Sequence, residues 1–251
     1  MQNKTKVTLI IFTWNEIDGM KVIMPQIKKE WYDQLIIVDG GSTDGTIEYA
    51  QANGYDIFVQ KERGAGAAFL ESFEKAEGDI IVIFSPDGNS VPEKIPELVA
   101  KIKQGYDIAI ASRYLNGARS YDDDMVTAFG NKLFTGLMNI LFKAGITDTL
   151  VMFRAYRRES LKRLSIKTKA VAWGTQIMAR AARMKMKIGE IPGDEPARIG
   201  GVRKMNPIKN GIVELSMIIT EFFRPVTDID VGVITNHRHC QTKREYEILQ
   251  K

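Results

Sequence analysis

The chain has 251 residues, 44% of them hydrophobic, and carries 35 Lys and Arg against 31 Asp and Glu for a net charge of +4. One cysteine, Cys240, excludes an intrachain disulfide and a multi-cysteine zinc site, and no apolar run reaches the roughly 18 residues that cross a bilayer. The length suits one large α/β domain or one domain with a helical appendage, and the charge suits phosphate-bearing ligands or an anionic membrane surface without calling for nucleic acid. A cytoplasmic protein, peripheral on the cytoplasmic face of a membrane, is the expectation.

In chain order, 7–12 reads as a first strand, Thr13-Trp14-Asn15-Glu16 as the loop after it, and 17–30 as a helix interrupted near Pro25. A second strand over 34–38 runs into Asp39-Gly40-Gly41-Ser42-Thr43-Asp44-Gly45-Thr46, where glycines permit a tight backbone and the polar side chains cap a helix beginning near Thr46. A third short strand over 55–59, a helix over 64–77 and a strand from Ile80 follow. This alternation indicates a right-handed parallel sheet wrapped by helices. Helices over 125–144, 175–184 and 212–223 and a strand over 187–192 complete the reading, with a polar, partly disordered tail after Pro225 that holds His237, His239 and Cys240.

The run Ile80-Ile81-Val82-Ile83-Phe84 ends abruptly in Ser85-Pro86-Asp87-Gly88-Asn89. A continuous apolar run reads as a central parallel strand, and ligands of open α/β sheets sit beyond the carboxyl ends of such strands. Asp87 and Asn89, two residues apart, suit a hard cation that completes its shell with substrate phosphate, although the same residues also make an ordinary surface turn. Gly64-Ala65-Gly66 lacks the third glycine of a dinucleotide fingerprint, and no Gly-Lys-Ser or Gly-Lys-Thr is present, so NAD, FAD and P-loop chemistry are excluded.

Phe12 to Glu16, Ile37 to Thr46, Gly64 to Gly66, Asp87 to Asn89 with Pro92-Glu93, Ala111 to Tyr114, Ile146 to Asp148 with Phe153 to Tyr156, and Arg198 to Lys204 together resemble family 2 glycosyltransferases, in that family's order. The nearest subgroup is dolichol-phosphate mannose synthase-like. The resemblance implies a GT-A fold, Rossmann-like with a mostly parallel sheet, over residues 1–205, with an amphipathic helix and tail over 206–251. It implies an inverting, metal-dependent hexosyltransferase that moves sugar from a GDP- or UDP-sugar to a polyprenyl phosphate, using Mn²⁺ or Mg²⁺. Two alternatives stand beside it: a soluble family 2 enzyme acting on a saccharide or other hydroxyl, and a non-catalytic nucleotide-sugar-binding protein.

By the same resemblance Thr13, Asn15 and Glu16 line the nucleobase pocket, Asp39 hydrogen-bonds the base, and Arg63, Gly64 and Gly66 lie near the nucleotide. The family's first metal aspartate is Ser85 here, which leaves Asp87 and Asn89 to hold metal, bound mainly together with the diphosphate. Asp87, Asp148 and Arg113 are the expected catalytic groups, Asp148 serving either the acceptor side or as a cap. Arg113, Arg119, Arg154, Arg198, Arg203 and Lys204 are acceptor-phosphate candidates, or solvated surface charges. Asp122-Asp123-Asp124 suits a helix N-terminus, with metal binding as a lesser alternative. The apolar helices over 125–144 and 212–223 lie either in a membrane interface, against each other, or in a homodimer contact.

Overall fold

The computed structural model describes residues 4–122, 124–200 and 206–225; the expectations for Arg203, Lys204 and the tail fall outside these residues. Among the described residues there are seven strands: β1 (Val7–Thr13), β2 (Gln34–Asp39), β3 (Ile57–Val59), β4 (Ile80–Phe84), β5 (Ile108–Ser112), β6 (Arg154–Arg157) and β7 (Ile188–Pro192). Eight α-helices accompany them among the same described residues: α1 (Ile17–Ile23), α2 (Thr46–Ala52), α3 (Ala65–Lys75), α4 (Lys94–Lys103), α5 (Met125–Phe142), α6 (Arg158–Arg163), α7 (Trp173–Arg183) and α8 (Pro207–Phe223).

The strands form one sheet in the order β3-β2-β1-β4-β6-β5-β7. All pairings are parallel except those of β6, which runs antiparallel between β4 and β5. The chain winds outward from β1 to β3 and then returns to place β4 on the other side of β1, so strand order reverses between β1 and β4. A ligand crevice opens beyond the carboxyl ends at such a reversal.

The alternation of side chains in a strand sends Leu9, Ile11, Val82 and Phe84 into a core under one face of the sheet, and Ile10, Ile81 and Ile83 into a core under the other. Because both faces are covered, β4 is buried along its whole length, the reason it reads as an unbroken apolar run. The helix expected over 17–30 is shorter: α1 stops at Ile23, the 3₁₀ turn Met24–Gln26 holds Pro25, which cannot donate a helical hydrogen bond, and a second 3₁₀ turn, Lys29–Trp31, follows.

Helices α5 and α8 meet on the side of the sheet that Ile10, Ile81 and Ile83 face. Asp124 caps α5 by accepting from Thr127 N, and Asn206 caps α8 by accepting from Lys209 N. The second helix is fastened to α7 by a buried ion pair: Arg180 donates to both carboxylate oxygens of Glu221 at 2.8 and 2.9 Å, and Gln176 donates to the same carboxylate. Burial opposes the charge on Glu221, but Arg180 and Gln176 outweigh it and hold its carboxyl below the usual glutamate range. Among the described residues no helix is long and apolar enough to cross a membrane.

Candidate active site

The loops after β1 and β2 are stitched together before any ligand arrives. Asp39, fully buried, accepts on one carboxylate oxygen from Gly41 N (2.8 Å) and Ser42 N (2.6 Å), and on the other from the Thr13 and Ser42 hydroxyls, both at 2.7 Å. Those four donors use the acceptor positions of a carboxylate. Asp39, expected at the base, anchors its own loop. Asn15, with φ of 52°, accepts from Thr43 N through its side chain and donates its own N–H to Ser42 Oγ. Thr46 Oγ1 in turn accepts from Glu16 N. This lattice fixes where the Glu16 carboxylate emerges.

Glu16 and Asp87, from the ends of β1 and β4, are brought together by an arginine from 111 residues beyond Asp87. Arg198 reaches back over the crevice, donating to Asp87 Oδ2 at 2.8 Å and to both Glu16 oxygens at 3.1 Å. Its neighbour follows it down: Ile199 N donates to Asp87 O at 2.8 Å, and the Ile199 side chain lies where a Cβ on Gly88 would sit, a residue whose φ of +89° also favours glycine. Arg198, expected on acceptor phosphate, thus belongs to the Asp87 side of the crevice. Both carboxylates are buried, and a guanidinium shared between them offsets a repulsion that would otherwise be strong in a low-dielectric cleft.

Asn89 completes the tip. Its main-chain N–H donates to Asp87 Oδ1 at 3.1 Å and its side-chain NH₂ to Asp122 Oδ2 at 2.9 Å. Its side-chain oxygen is buried and meets no donor among the described residues.

The acceptor-side candidates divide. Arg113 forks onto Asp148 through Nε (2.7 Å) and Nη2 (3.0 Å), while Nη1 reaches Glu195 at 3.2 Å. Asp148 is fully buried and also accepts from Asn131 Nδ2, Leu150 N and Val151 N. Burial opposes its charge, but the hydrogen bonds and charge of Arg113 outweigh it and hold the carboxyl below the usual aspartate range. A general base needs an open lone pair and a pKa near working pH. Asp148 and Arg113, expected as catalytic groups, join the end of β5 to α5 in this structure.

Arg154 is 1% exposed, with its guanidinium on Thr149 O and Gly174 O. Arg119 and Arg63 lie on exposed loops. A Cβ on Gly64 would meet Lys169 O at 2.3 Å, and one on Gly66 would meet Thr168 O at 2.4 Å. Their missing side chains admit the 168–170 backbone. Sequence reasoning named Asp122 only as part of an acidic run, without its contact to Asn89, and missed Glu195, which carried no signal.

Residues 8–165 match the model of the family described as glycosyl transferase family 2. Dolichol-phosphate mannosyltransferase of Pyrococcus furiosus is 36% identical over 122 residues, which is 45% of this chain and 35% of that protein. Polyprenol monophosphomannose synthase of Mycolicibacterium smegmatis is 28% identical over 217 residues, 80% of this chain and 82% of that protein. A crystal structure of glucosyl-3-phosphoglycerate synthase from Mycobacterium tuberculosis, in complex with Mn²⁺, UDP and glucosyl-3-phosphoglycerate, superposes with a TM-score of 0.66 at 19% identity, covering 88% of this chain and 81% of the other. That likeness shows the fold, in agreement with the GT-A architecture that the motifs implied.

Proposed function

The chain belongs to glycosyl transferase family 2, and from that premise we propose that it transfers a sugar from a nucleoside diphosphate sugar to a polyprenyl phosphate at a membrane surface. The names of its relatives from P. furiosus and M. smegmatis support a polyprenyl-type acceptor. In the reaction the bond from the anomeric carbon to the diphosphate breaks while an acceptor phosphate oxygen bonds from the opposite face, so configuration inverts and nucleoside diphosphate leaves.

The donor end is the crevice held by Glu16, Asp87 and Arg198. Asp87 and the unpartnered oxygen of Asn89 fit a hard oxygen-binding cation such as Mn²⁺ or Mg²⁺ and would hold it. When bound, such a cation stabilises the negative charge that develops on the leaving diphosphate. Arg198 already stands at this tip with a guanidinium whose fork matches phosphate oxygens as well as carboxylates, so incoming diphosphate exchanges one anionic partner for another. At the acceptor end Asp148 is locked on Arg113, and a phosphate monoester needs no base because it is largely anionic at neutral pH.

The observation that carries the acceptor is an apolar face. Ile208, Ile212, Leu215, Ile219 and Phe222 recur along one side of α8 at helical spacing and are exposed, with Phe223 at 77% and, on the adjacent α5, Phe129 at 70% and Ile140 at 76%. Large exposed apolar surface on two packed amphipathic helices suits insertion at a lipid interface. Co-sedimentation with vesicles of mixed zwitterionic and anionic phospholipid tests this. Wild type is expected in the pellet, and Phe129→Asp with Phe223→Asp in the supernatant with an unchanged circular dichroism spectrum. Wild type remaining in the supernatant would overturn the membrane reading.

A further inference from the structure

Two of the aspartates ahead of α5 have different partners. Asp124 is committed to the helix, accepting from the Thr127 N–H and hydroxyl at 2.7 and 2.9 Å. Asp122 faces the other way, toward the tip after β4, and accepts from Asn89. That contact has a chemical consequence, because a carboxamide has two unlike ends. An ionised carboxylate only accepts, so Asp122 can hold only the NH₂ end of Asn89. The oxygen end is thereby turned away from Asp122, on the residue whose main-chain N–H is fastened to Asp87, and there it lies buried without a donor among the described residues. Leaving a buried acceptor unsatisfied costs roughly 1–3 kcal/mol, and a cation bound there would supply the missing partner.

We propose that Asp122 is a positioning residue for the divalent cation at Asp87: it fixes the side-chain amide of Asn89 so that oxygen is presented to the metal, and supplies a nearby second negative charge. The inference rests on the metal-dependent reading above and deepens it. Ser85 stands where the family pattern has its first carboxylate, and Arg198, shared between Glu16 and Asp87, offsets part of the charge there, so the tip offers a divalent cation less negative charge than two free carboxylates would. Asp122 lies 33 residues along the chain from Asn89 and comes from the loop that leads into α5. Without it the amide is free to turn its NH₂, the positive end, toward the cation. Groups that orient a metal ligand in this way alter metal affinity by about 10- to 100-fold when removed.

The test follows Mn²⁺ uptake by the full chain through loss of the free-ion electron paramagnetic resonance signal, with UDP or GDP present. Asp122→Ala is expected to weaken Mn²⁺ binding about 10- to 100-fold, leaving the melting temperature and the metal-free nucleotide affinity unchanged. Asp122→Asn keeps an oxygen acceptor but loses the charge, and its affinity is expected to fall between the two. Adding Ser85→Asp to Asp122→Ala is expected to restore part of the loss, and failure of that rescue would overturn the charge argument. A Mn²⁺ affinity within about twofold of wild type in Asp122→Ala would overturn the inference while leaving the metal-dependent reading intact. A wild-type chain that takes up no Mn²⁺ with either nucleotide would overturn both.

Discussion

Replacing Asp148 by Asn separates an anchoring carboxylate from a catalytic one. The substitution keeps shape but removes the charge that meets two Arg113 nitrogens at 2.7 and 3.0 Å, and the new amide cannot accept on both ends. Asp148 is fully buried and the Arg113 side chain is 8% exposed, so solvent screens little of the loss. Breaking a buried pair by removing one partner costs about 3–5 kcal/mol. Glu195 still holds Arg113, which places the expected loss toward the lower end, about 3 kcal/mol. For a chain of this size each kcal/mol is worth roughly 2–4 °C, so thermal unfolding at neutral pH is expected to drop by about 6–12 °C. The sign of the pH dependence follows from a depressed folded pKa: the stabilisation is present above the ordinary aspartate value and is lost as pH falls through the lowered folded value. The gap between wild type and variant should therefore close in acid. A variant that melts with wild type yet loses transfer activity more than about a hundredfold would refute the reasoning and return Asp148 to the chemistry.

Glu214, buried on α8, has its pKa raised by burial, and its Oε2 meets no donor among the described residues. Stability from its protonated form is present below the usual glutamate value and lost as pH rises through the raised folded value, so Glu214→Gln is expected to melt higher than wild type at pH 8 and no higher at pH 4; equal melting at pH 8 would count against this. Glu221→Ala leaves Arg180 buried and unpaired, a loss of about 3–5 kcal/mol, and should expose α8 to limited proteolysis before the sheet unfolds; simultaneous cleavage throughout would contradict it. Gly66→Ala drives a methyl against Thr168 O and Ala170 O and is expected to destabilise the chain while leaving nucleotide affinity at permissive temperature near wild type. Selective loss of nucleotide affinity would restore a direct binding role to this loop.

Much of the fold was legible because burial on both sides of the central strands writes itself as unbroken apolar sequence, as in β1, β2 and β4. By contrast β6 is four residues, Arg-Ala-Tyr-Arg, with an arginine at each end; nothing local announces that Arg154 lies in the core or that the strand is antiparallel. The positions of Asp87 and Asn89 were readable because a polar turn interrupts an apolar strand abruptly. Their partners were not, since Arg198 and Asp122 arrive from loops distant in sequence. Asp39 shows a subtler limit: a carboxylate after a strand looks the same in sequence whether it waits for a ligand or caps its own loop. The four donors around it become visible only in the folded chain.

The most direct measurement is transfer of labelled sugar from a panel of uridine and guanosine diphosphate sugars, with Mn²⁺ or Mg²⁺, into an organic-extractable polyprenyl phosphate, with Asp87→Ala alongside. Label in the lipid phase with wild type and none with the variant is the predicted result, and the active donor names the sugar and base. Label that appears only in water-soluble products across the whole panel would contradict the proposed acceptor.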